Sequence, residues 1–237
     1  MKLNIYPSPH AVAYALISHI LQLMKEQPDK TFNIAFSGGS TPAVMFDLWG
    51  HEIAQVTPWN RIKVWWVDER CVSPENSDSN YGLMRKLLLS VAPIPRESIF
   101  RIRGEDKPEK EALRYSAEVK KHLPQIGQYP SFDIVLLGVG TDGHTSSIFP
   151  GQEYLLSASQ PYEVSENPKN KQKRIALTGC TIMNSSYVIF MATGKDKAHV
   201  INEIFTSGDI TPSAYIAHHA KNVELFIDKN AASELKV

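Results

Sequence analysis

The sequence predicts an α/β fold with a mostly parallel sheet and helices on both of its faces. Short runs of the chain are apolar at almost every position, helical segments separate them, and polar or glycine-rich turns follow several of them. Apolar runs without polar alternation are typical of parallel strands that are covered on both faces. The 237 residues can bury a core of their own, so we expect a single domain over residues 1–237.

The first half of the chain begins with a helix. In residues 11–25 apolar side chains recur at helical spacing after Pro9, which indicates a packing helix. Phe32–Phe36 is a buried strand by the same criterion, and SGGSTP then leads into a helix with Pro42 in its first turn. In chain order we expect a helix over 11–25, a strand over 32–36, a helix over 43–49, a strand over 62–67, and helices over 81–89 and 103–122.

The second half continues the alternation. A buried run at residues 132–137 precedes the glycine-rich GVGTDGH, and a helical segment follows Gly194. Residues 152–173 are polar and contain two prolines, which indicates a mobile surface excursion. The further strands are expected over 174–177, 187–193 and 223–227.

Charge and cysteine content narrow the classes of function. The 25 Lys and Arg balance the 25 Asp and Glu, so the sequence predicts no nucleic-acid partner and no anionic membrane surface. Two distant cysteines, Cys71 and Cys180, form neither a disulfide framework nor a zinc motif. The N-terminal residues resemble neither a signal peptide nor a membrane span, and a cytoplasmic location fits best.

Candidate site residues follow the ends of the expected strands. The carboxyl ends of parallel strands meet at one edge of a sheet, where ligands bind. Glycines in SGGSTP allow a phosphate to approach the backbone at a helix start, although an ordinary strand-to-helix turn has the same pattern. The residues concerned are Gly39, Ser40, Thr41, Asp68, Arg70, Asp142, His144 and Lys197.

Each of these residues also has a structural alternative. His144 beside Asp142 fits a general base, but it could equally cap the loop, and Arg70 could bind a phosphate or a neighbouring carboxylate. GVGTDG matches a dinucleotide-binding pattern by position, yet Pro150 would stop the long helix that such a site requires. HExxH and GxSxG motifs are absent from the sequence, so it predicts neither a zinc site nor a serine hydrolase.

With these residues in view, the sequence resembles the 6-phosphogluconolactonase family over nearly its whole length. DGHTSSIFPG is the most specific of the shared segments, and both the order and the spacing of the segments agree. They are FSGGSTP (36–42), VDERCVSPENSDSNYGL (67–83), LLGVGTDGHTSSIFPG (136–151), RIALT (174–178), TGKDKA (193–198) and TPSAYIAHHAKNVELFID (211–228).

The resemblance implies a modified Rossmann-like fold, related to glucosamine-6-phosphate deaminases, ribose-5-phosphate isomerases and CoA transferases. It also implies hydrolysis of 6-phospho-D-glucono-1,5-lactone to 6-phosphogluconate in the oxidative pentose phosphate pathway, without a metal or cofactor. His144 would be the general base on water and Asp142 would orient it, while amides near Gly140 and Gly143 would face the oxyanion. Arg70, Arg174, Lys197 and the Gly39-Ser40-Thr41 backbone would hold the phosphate, with Asp68 also at the substrate.

Two other functions stay open at this point. A deaminase or isomerase acting on an amino-sugar phosphate would use Asp68 to abstract a carbon-bound proton. A sugar-phosphate sensor would use the same phosphate cradle without catalysis. We expect the small-molecule lactone as the partner, and a monomer or small homo-oligomer.

Overall fold

A six-stranded parallel sheet forms the centre of the protein in the computed structural model, which describes residues 1–206 and 208–235. The strands of the described chain are β1 (Lys2–Tyr6), β2 (Phe32–Phe36), β3 (Ile62–Trp66), β4 (Asp68–Arg70), β5 (Gln125–Ile126), β6 (Tyr129–Pro130), β7 (Ile134–Leu137), β8 (Tyr162–Glu166), β9 (Lys173–Leu177), β10 (Tyr187–Ala192) and β11 (Val223–Asp228). The strand order of the central sheet is β1-β11-β10-β7-β2-β3, and every neighbouring pair is parallel.

Helices connect most of the parallel strands. The helices Ser40–Leu48 and Asn80–Met84 continue directly into wider π-helical turns at Trp49–Ile53 and Arg85–Leu89. Short 3-10 turns lie at Ala54–Val56, Trp59–Arg61, Arg96–Ser98, Glu153–Leu156 and Lys195–Lys197. The α-helices are α1 (Pro9–Glu26), α2 (Ser40–Leu48), α3 (Asn80–Met84), α4 (Pro108–His122), α5 (Gly179–Met183), α6 (Ala198–Thr206) and α7 (Pro212–His219).

The central strands are buried on both faces. Every residue of β2, β7 and β11 is buried, which requires packing against both sides of the sheet. The apolar stripe of α1 contributes Val12, Leu16 and Ile20 to this core, each with no exposed surface. The predicted α/β class with a mostly parallel sheet is therefore confirmed.

The connections reverse direction at β2. The chain leaves β2 for β3 on one side, whereas β7 lies against β2 on the other side. Loops that diverge from neighbouring strands leave a crevice between them at their carboxyl ends, and ligands of open α/β sheets bind at such a point. The topology thus places the candidate site between the turn after β2 and the turn after β7.

A second, antiparallel sheet differs from expectation. Residues 174–177 do form a strand, but β9 pairs with β4 and β8 rather than joining the parallel sheet. The surface-excursion prediction for residues 152–173 is wrong for β8, where Tyr162 and Ser165 are buried and α4 packs alongside. Ser116 of α4 binds the β8 backbone in both directions, through Tyr162 N and Tyr162 O.

The structure also differs from the sequence prediction at one strand and at one helix start. The sequence prediction missed β1, because this edge strand is only partly buried and lacks a continuous apolar run. The helix expected over residues 103–122 begins at Pro108, since proline fits the first helical position. In the described part of the chain, no helix combines the length and apolarity that a membrane span needs.

Candidate active site

An open cleft of about 210 Å³ lies at the carboxyl ends of β2, β7 and β10. Most of its lining is polar, and it receives residues from segments that are far apart in the sequence. Of the predicted site residues, Gly39, Ser40, Thr41, Asp68, Arg70, His144 and Lys197 line it, whereas Asp142 and Arg174 lie behind the lining.

The turn after β2 presents the start of a helix to the cleft. Gly39 has φ of 107°, a backbone conformation that favours glycine, and α2 begins at the next residue. Within the described residues no side chain caps α2, so the first amides of the helix are available to an anion. Thr41 Oγ1 lies 3.2 Å from Thr193 Oγ1, which joins this turn to the end of β10.

His144 and Asp142 form a close pair in the loop after β7. We call residues 138–149 the His144 loop. Nδ1 of His144 lies 2.5 Å from Oδ1 of Asp142, and this hydrogen bond is the main reason that the pKa of Asp142 falls to about 2. An ionised carboxylate only accepts hydrogen bonds, so Nδ1 carries a proton, and in the neutral imidazole the lone pair therefore lies on Nε2.

The backbone of the His144 loop closes around this pair. A Cβ on Gly140 would lie 2.1 Å from His144 Nδ1 and 2.6 Å from Asp142 Oδ1, so the contact requires glycine there. The Gly140 amide donates to the His144 carbonyl at 2.8 Å, and the Gly143 amide donates to the Gly140 carbonyl at 3.0 Å. The turn itself uses these two amides, so they are not free to face an oxyanion, a role that was expected of amides near Gly140 and Gly143.

Two serines next to His144 adopt left-handed backbone conformations. Ser146 and Ser147 have φ of 53° and 55°, which costs on the order of 1 kcal/mol for each residue. Ser146 Oγ donates to the Leu177 carbonyl at 2.7 Å, and Ser147 Oγ donates to Asp68 Oδ2 at 2.5 Å. These bonds hold the strained turn against the strand ends, and the second one orients the Asp68 carboxylate at the cleft.

Arg70 and Arg174 lie side by side on β4 and β9, which we call the arginine strands. They are directly paired in the antiparallel register, where like charges repel. Within residues 1–206 and 208–235, the buried Nε atom of neither arginine has a hydrogen-bond partner. Burial, and next the charge of Arg70, lower the pKa of Arg174. Two neighbouring guanidinium groups with unused donors are suited to bind an anion.

Lys197, in the turn after β10, adds a second cation to the lining of the cleft. Its side chain is 22% exposed and its Nζ lies 3.4 Å from Asp196, so the charge is only partly compensated. In the described part of the chain, His, Cys, Asp and Glu side chains do not assemble into a group of three able to hold a metal ion. The arrangement of the described residues can therefore bind an anion beside a histidine with a free ring nitrogen.

Sequence reasoning missed Ser147 and Asn80. Ser147 lines the cleft and binds Asp68, while Asn80 Nδ2 donates to the Asp68 carbonyl at 2.8 Å. The polar TSS run after His144 was a usable signal for Ser147. Asn80 had no comparable signal, because its contacts depend on how the loop after β4 folds back.

Comparisons with known proteins identify the family of the chain. The sequence profile of the family described as Glucosamine-6-phosphate isomerases/6-phosphogluconolactonase matches residues 7–226. A 6-phosphogluconolactonase of Treponema pallidum is 37% identical over 220 residues, which cover 93% of this chain and 89% of that protein. The corresponding protein of Haemophilus influenzae is 36% identical, with 84% and 85% covered.

A solved structure of a similar protein has the same fold. The 6-phosphogluconolactonase from Trypanosoma cruzi superposes with a TM-score of 0.88 and 28% identity, and the match covers 100% of this chain and 97% of that one. The family profile includes all of the residues that line the cleft. The chain therefore belongs to the glucosamine-6-phosphate isomerase/6-phosphogluconolactonase family.

Proposed function

We propose that this protein hydrolyses 6-phospho-D-glucono-1,5-lactone to 6-phosphogluconate, as in the oxidative pentose phosphate pathway. The observation that carries the proposal is the His144–Asp142 pair at a cleft that also contains cationic side chains. A lactone carbonyl is already electrophilic, so hydrolysis needs an oriented water, a base and a fixed substrate. The names of the similar proteins support the same substrate.

His144 is the general base in this proposal. Its Nε2 takes a proton from water while the water oxygen bonds to the lactone carbonyl carbon. The ring C–O bond then breaks, and the imidazolium returns the proton to the departing ring oxygen. Asp142 remains ionised, holds the reactive tautomer and stabilises the transient positive charge.

The phosphate of the substrate binds to the cationic side of the cleft. Arg70 and Lys197 provide charge, Arg174 reinforces Arg70 from behind, and the Gly39-Ser40-Thr41 backbone supplies amides. Asp68 accepts hydrogen bonds from sugar hydroxyls, since Ser147 already fixes one of its oxygens. Binding at the remote phosphate fixes the lactone carbonyl relative to His144.

We infer a single catalytic domain over residues 1–237, active as a monomer or a small homo-oligomer in the cytoplasm. Nucleic acid is not expected as a partner, because the formal net charge of the sequence is zero.

The direct test is the rate of lactone opening, with the lactone generated in place from glucose 6-phosphate and corrected for spontaneous hydrolysis. We expect the unaltered protein to accelerate the reaction and His144→Ala to lower kcat by roughly 10² to 10⁴. His51→Ala is the matched control, because His51 also lies beside an aspartate, Asp47, but outside the cleft.

Different negative results would contradict different parts of the proposed function. No acceleration by the unaltered protein would reject the lactonase proposal, and ammonia release from glucosamine 6-phosphate would then indicate a deaminase. Saturable binding of 6-phosphogluconate without turnover would indicate a sensor. A His144→Ala protein with most of its turnover would reject the general base.

A further inference from the structure

Glu69 is a buried carboxylate between two residues of the cleft, Asp68 and Arg70. It is 1% exposed, and burial raises its pKa. Within the described residues its hydrogen bonds come from neutral groups. The donors are the backbone amides of Arg70, Asn80 and Tyr81 at 2.7, 2.7 and 2.8 Å and the Ser79 hydroxyl at 3.1 Å. The carboxylate thus binds the start of α3 to the end of β4.

Asn80 extends this connection to the two neighbouring loops. It is 2% exposed, and its Nδ2 donates to the Asp68 carbonyl at 2.8 Å and to Asp68 Oδ1 at 3.2 Å. On its other side, a Cβ on Gly38 would lie 2.0 Å from Asn80 Oδ1. Asn80 therefore contacts both the glycine turn after β2 and the Asp68 carboxylate.

The segment that bears these residues also contacts the Arg70 side chain. Nη1 of Arg70 donates to the Asp78 carbonyl at 2.7 Å. Ser79 caps α3 by accepting from the Gly82 amide at 3.0 Å, while its hydroxyl donates to Glu69. The position of Arg70 is thus set through its backbone amide by Glu69 and through its guanidinium group by the residue two before Asn80.

We propose that Glu69 and Asn80 are positioning residues for anion binding, and that together they hold Arg70, Asp68 and the glycine turn at Gly38 in the spacing that a phosphate monoester needs. The inference rests on the proposed function in one respect, namely that the anion is the phosphate of the substrate. Neither residue lines the cleft, so both act through the residues that do.

The buried charge of Glu69 is better explained by positioning than by stability. A desolvated carboxylate costs free energy, and apolar side chains of similar size often serve stability equally well. Glu69 places four donors of fixed geometry around two oxygens, which a methyl group cannot do. Binding sites depend on such supporting hydrogen bonds, because small displacements of the contacting groups weaken binding.

The test measures binding of inorganic phosphate to the whole protein by ³¹P NMR titration, which does not depend on turnover. We expect Asn80→Ala and Glu69→Gln each to raise the dissociation constant about tenfold. Asn33→Ala is the control for the first variant, because Asn33 is a buried asparagine that binds Asp133 and Trp65 near the opposite end of β2. Glu111→Gln is the control for the second, because Glu111 on α4 is 1% exposed and accepts from the Arg103 amide and from the Arg114 guanidinium group, away from the cleft.

Thermal unfolding of all four variants separates stability from positioning. The proposal requires phosphate binding to weaken in the Glu69 and Asn80 variants and to stay unchanged in the two controls. This should hold even where a control loses as much melting temperature as the variant that it matches. Equal dissociation constants in variants and controls would overturn it, as would an unaltered protein that binds no phosphate. Lactone kinetics add a separate readout, in which KM rises about tenfold while kcat stays within about twofold.

A steric variant tests the contact with Gly38 without changing charge. Gly38→Ala should weaken phosphate binding, because the added Cβ would displace Asn80 from Asp68. In the Asn80→Ala background, the same substitution should add a smaller loss, because the clashes with Oδ1 and Cγ are gone and only the contact with the Cβ of residue 80 at 2.9 Å remains. Full additivity of the two substitutions would contradict the proposed contact. Absence of lactone hydrolysis with these phosphate results intact would reject the proposed function alone.

Discussion

The His144 loop and the arginine strands form two sides of one cleft, but they are built in opposite ways. His144 and Asp142 are two residues apart, and their contact depends on a tight local turn. Arg70 and Arg174 are 104 positions apart in the chain and become neighbours only through β-pairing. The His144–Asp142 pair is thus determined locally, whereas the pairing of the two arginines is determined by the assembled sheet.

The largest expected effect concerns the local pair. Asp142→Asn should lower kcat by about 10² or more with little change in KM, because the reactive tautomer of His144 is no longer favoured. Asp47→Asn, which alters the His51 pair outside the cleft, is the control. In a steady-state assay, adding His144→Ala should cause little further loss, and an Asp142→Asn enzyme with normal kcat would contradict the pairing.

Substitutions on the arginine strands should change KM rather than kcat. Arg70→Ala should raise KM by about 10- to 100-fold while kcat changes little, because in the proposed function the guanidinium group binds the phosphate, which is remote from the reacting carbonyl. Arg174→Ala should have the same sign and a smaller size, since Arg174 does not line the cleft. Arg101→Ala removes an ion pair with Glu105 and serves as the control. A loss in kcat alone would assign Arg70 to the reacting centre.

Gly140→Ala tests how far the local pair depends on its turn. The added Cβ would meet both members of the pair, so we expect kcat to fall about tenfold. In the Asp142→Asn background the same substitution should cause a smaller loss, because the contact that it disturbs is already altered. Steady-state kinetics of the four proteins measure this coupling, and purely additive effects would show that the glycine has another role.

The smallest effect is the acid dependence of stability. The pKa of Asp142 is about 2 in the folded protein, against ~3.9 in an unfolded chain. Ionised Asp142 therefore stabilises the fold fully above about pH 4, and this contribution disappears as the pH falls towards 2. Urea unfolding of the unaltered protein and Asp142→Asn should show a difference in unfolding free energy that shrinks over this range. A difference independent of pH would reject the ion-paired state.

Regular elements with a strong pattern were predictable from the sequence. The stripe in residues 11–25 predicted most of α1, and the uniformly apolar runs predicted β2, β7 and β10. The edge strand β1 and the pairing of β9 were not predictable, because a pattern of burial does not specify the partner strand. The candidate site was predictable where residues directly follow a strand end.

Other site features depended on contacts that no local pattern contains. The amides of Gly140 and Gly143 were expected to be free, but the turn around His144 uses both. Asn80 and Glu69 lie in the shared segment 67–83, but no local pattern indicated their contacts, because these come from the segment that folds back from α3 onto β4. Residues of this kind become recognisable only when their hydrogen bonds are known.

The fold class, the shared segments of the family and the closeness of His144 and Asp142 could be read from the amino-acid sequence. These follow from hydrophobic periodicity and from residues close together in the chain. Two contacts could be seen in the tertiary structure alone. Arg70 and Arg174 are paired across neighbouring strands, and Asn80 lies against Gly38 while it donates a hydrogen bond to Asp68. The physical reason is that long-range contacts depend on how strands pair and loops return, and many sequence patterns are compatible with the same local elements.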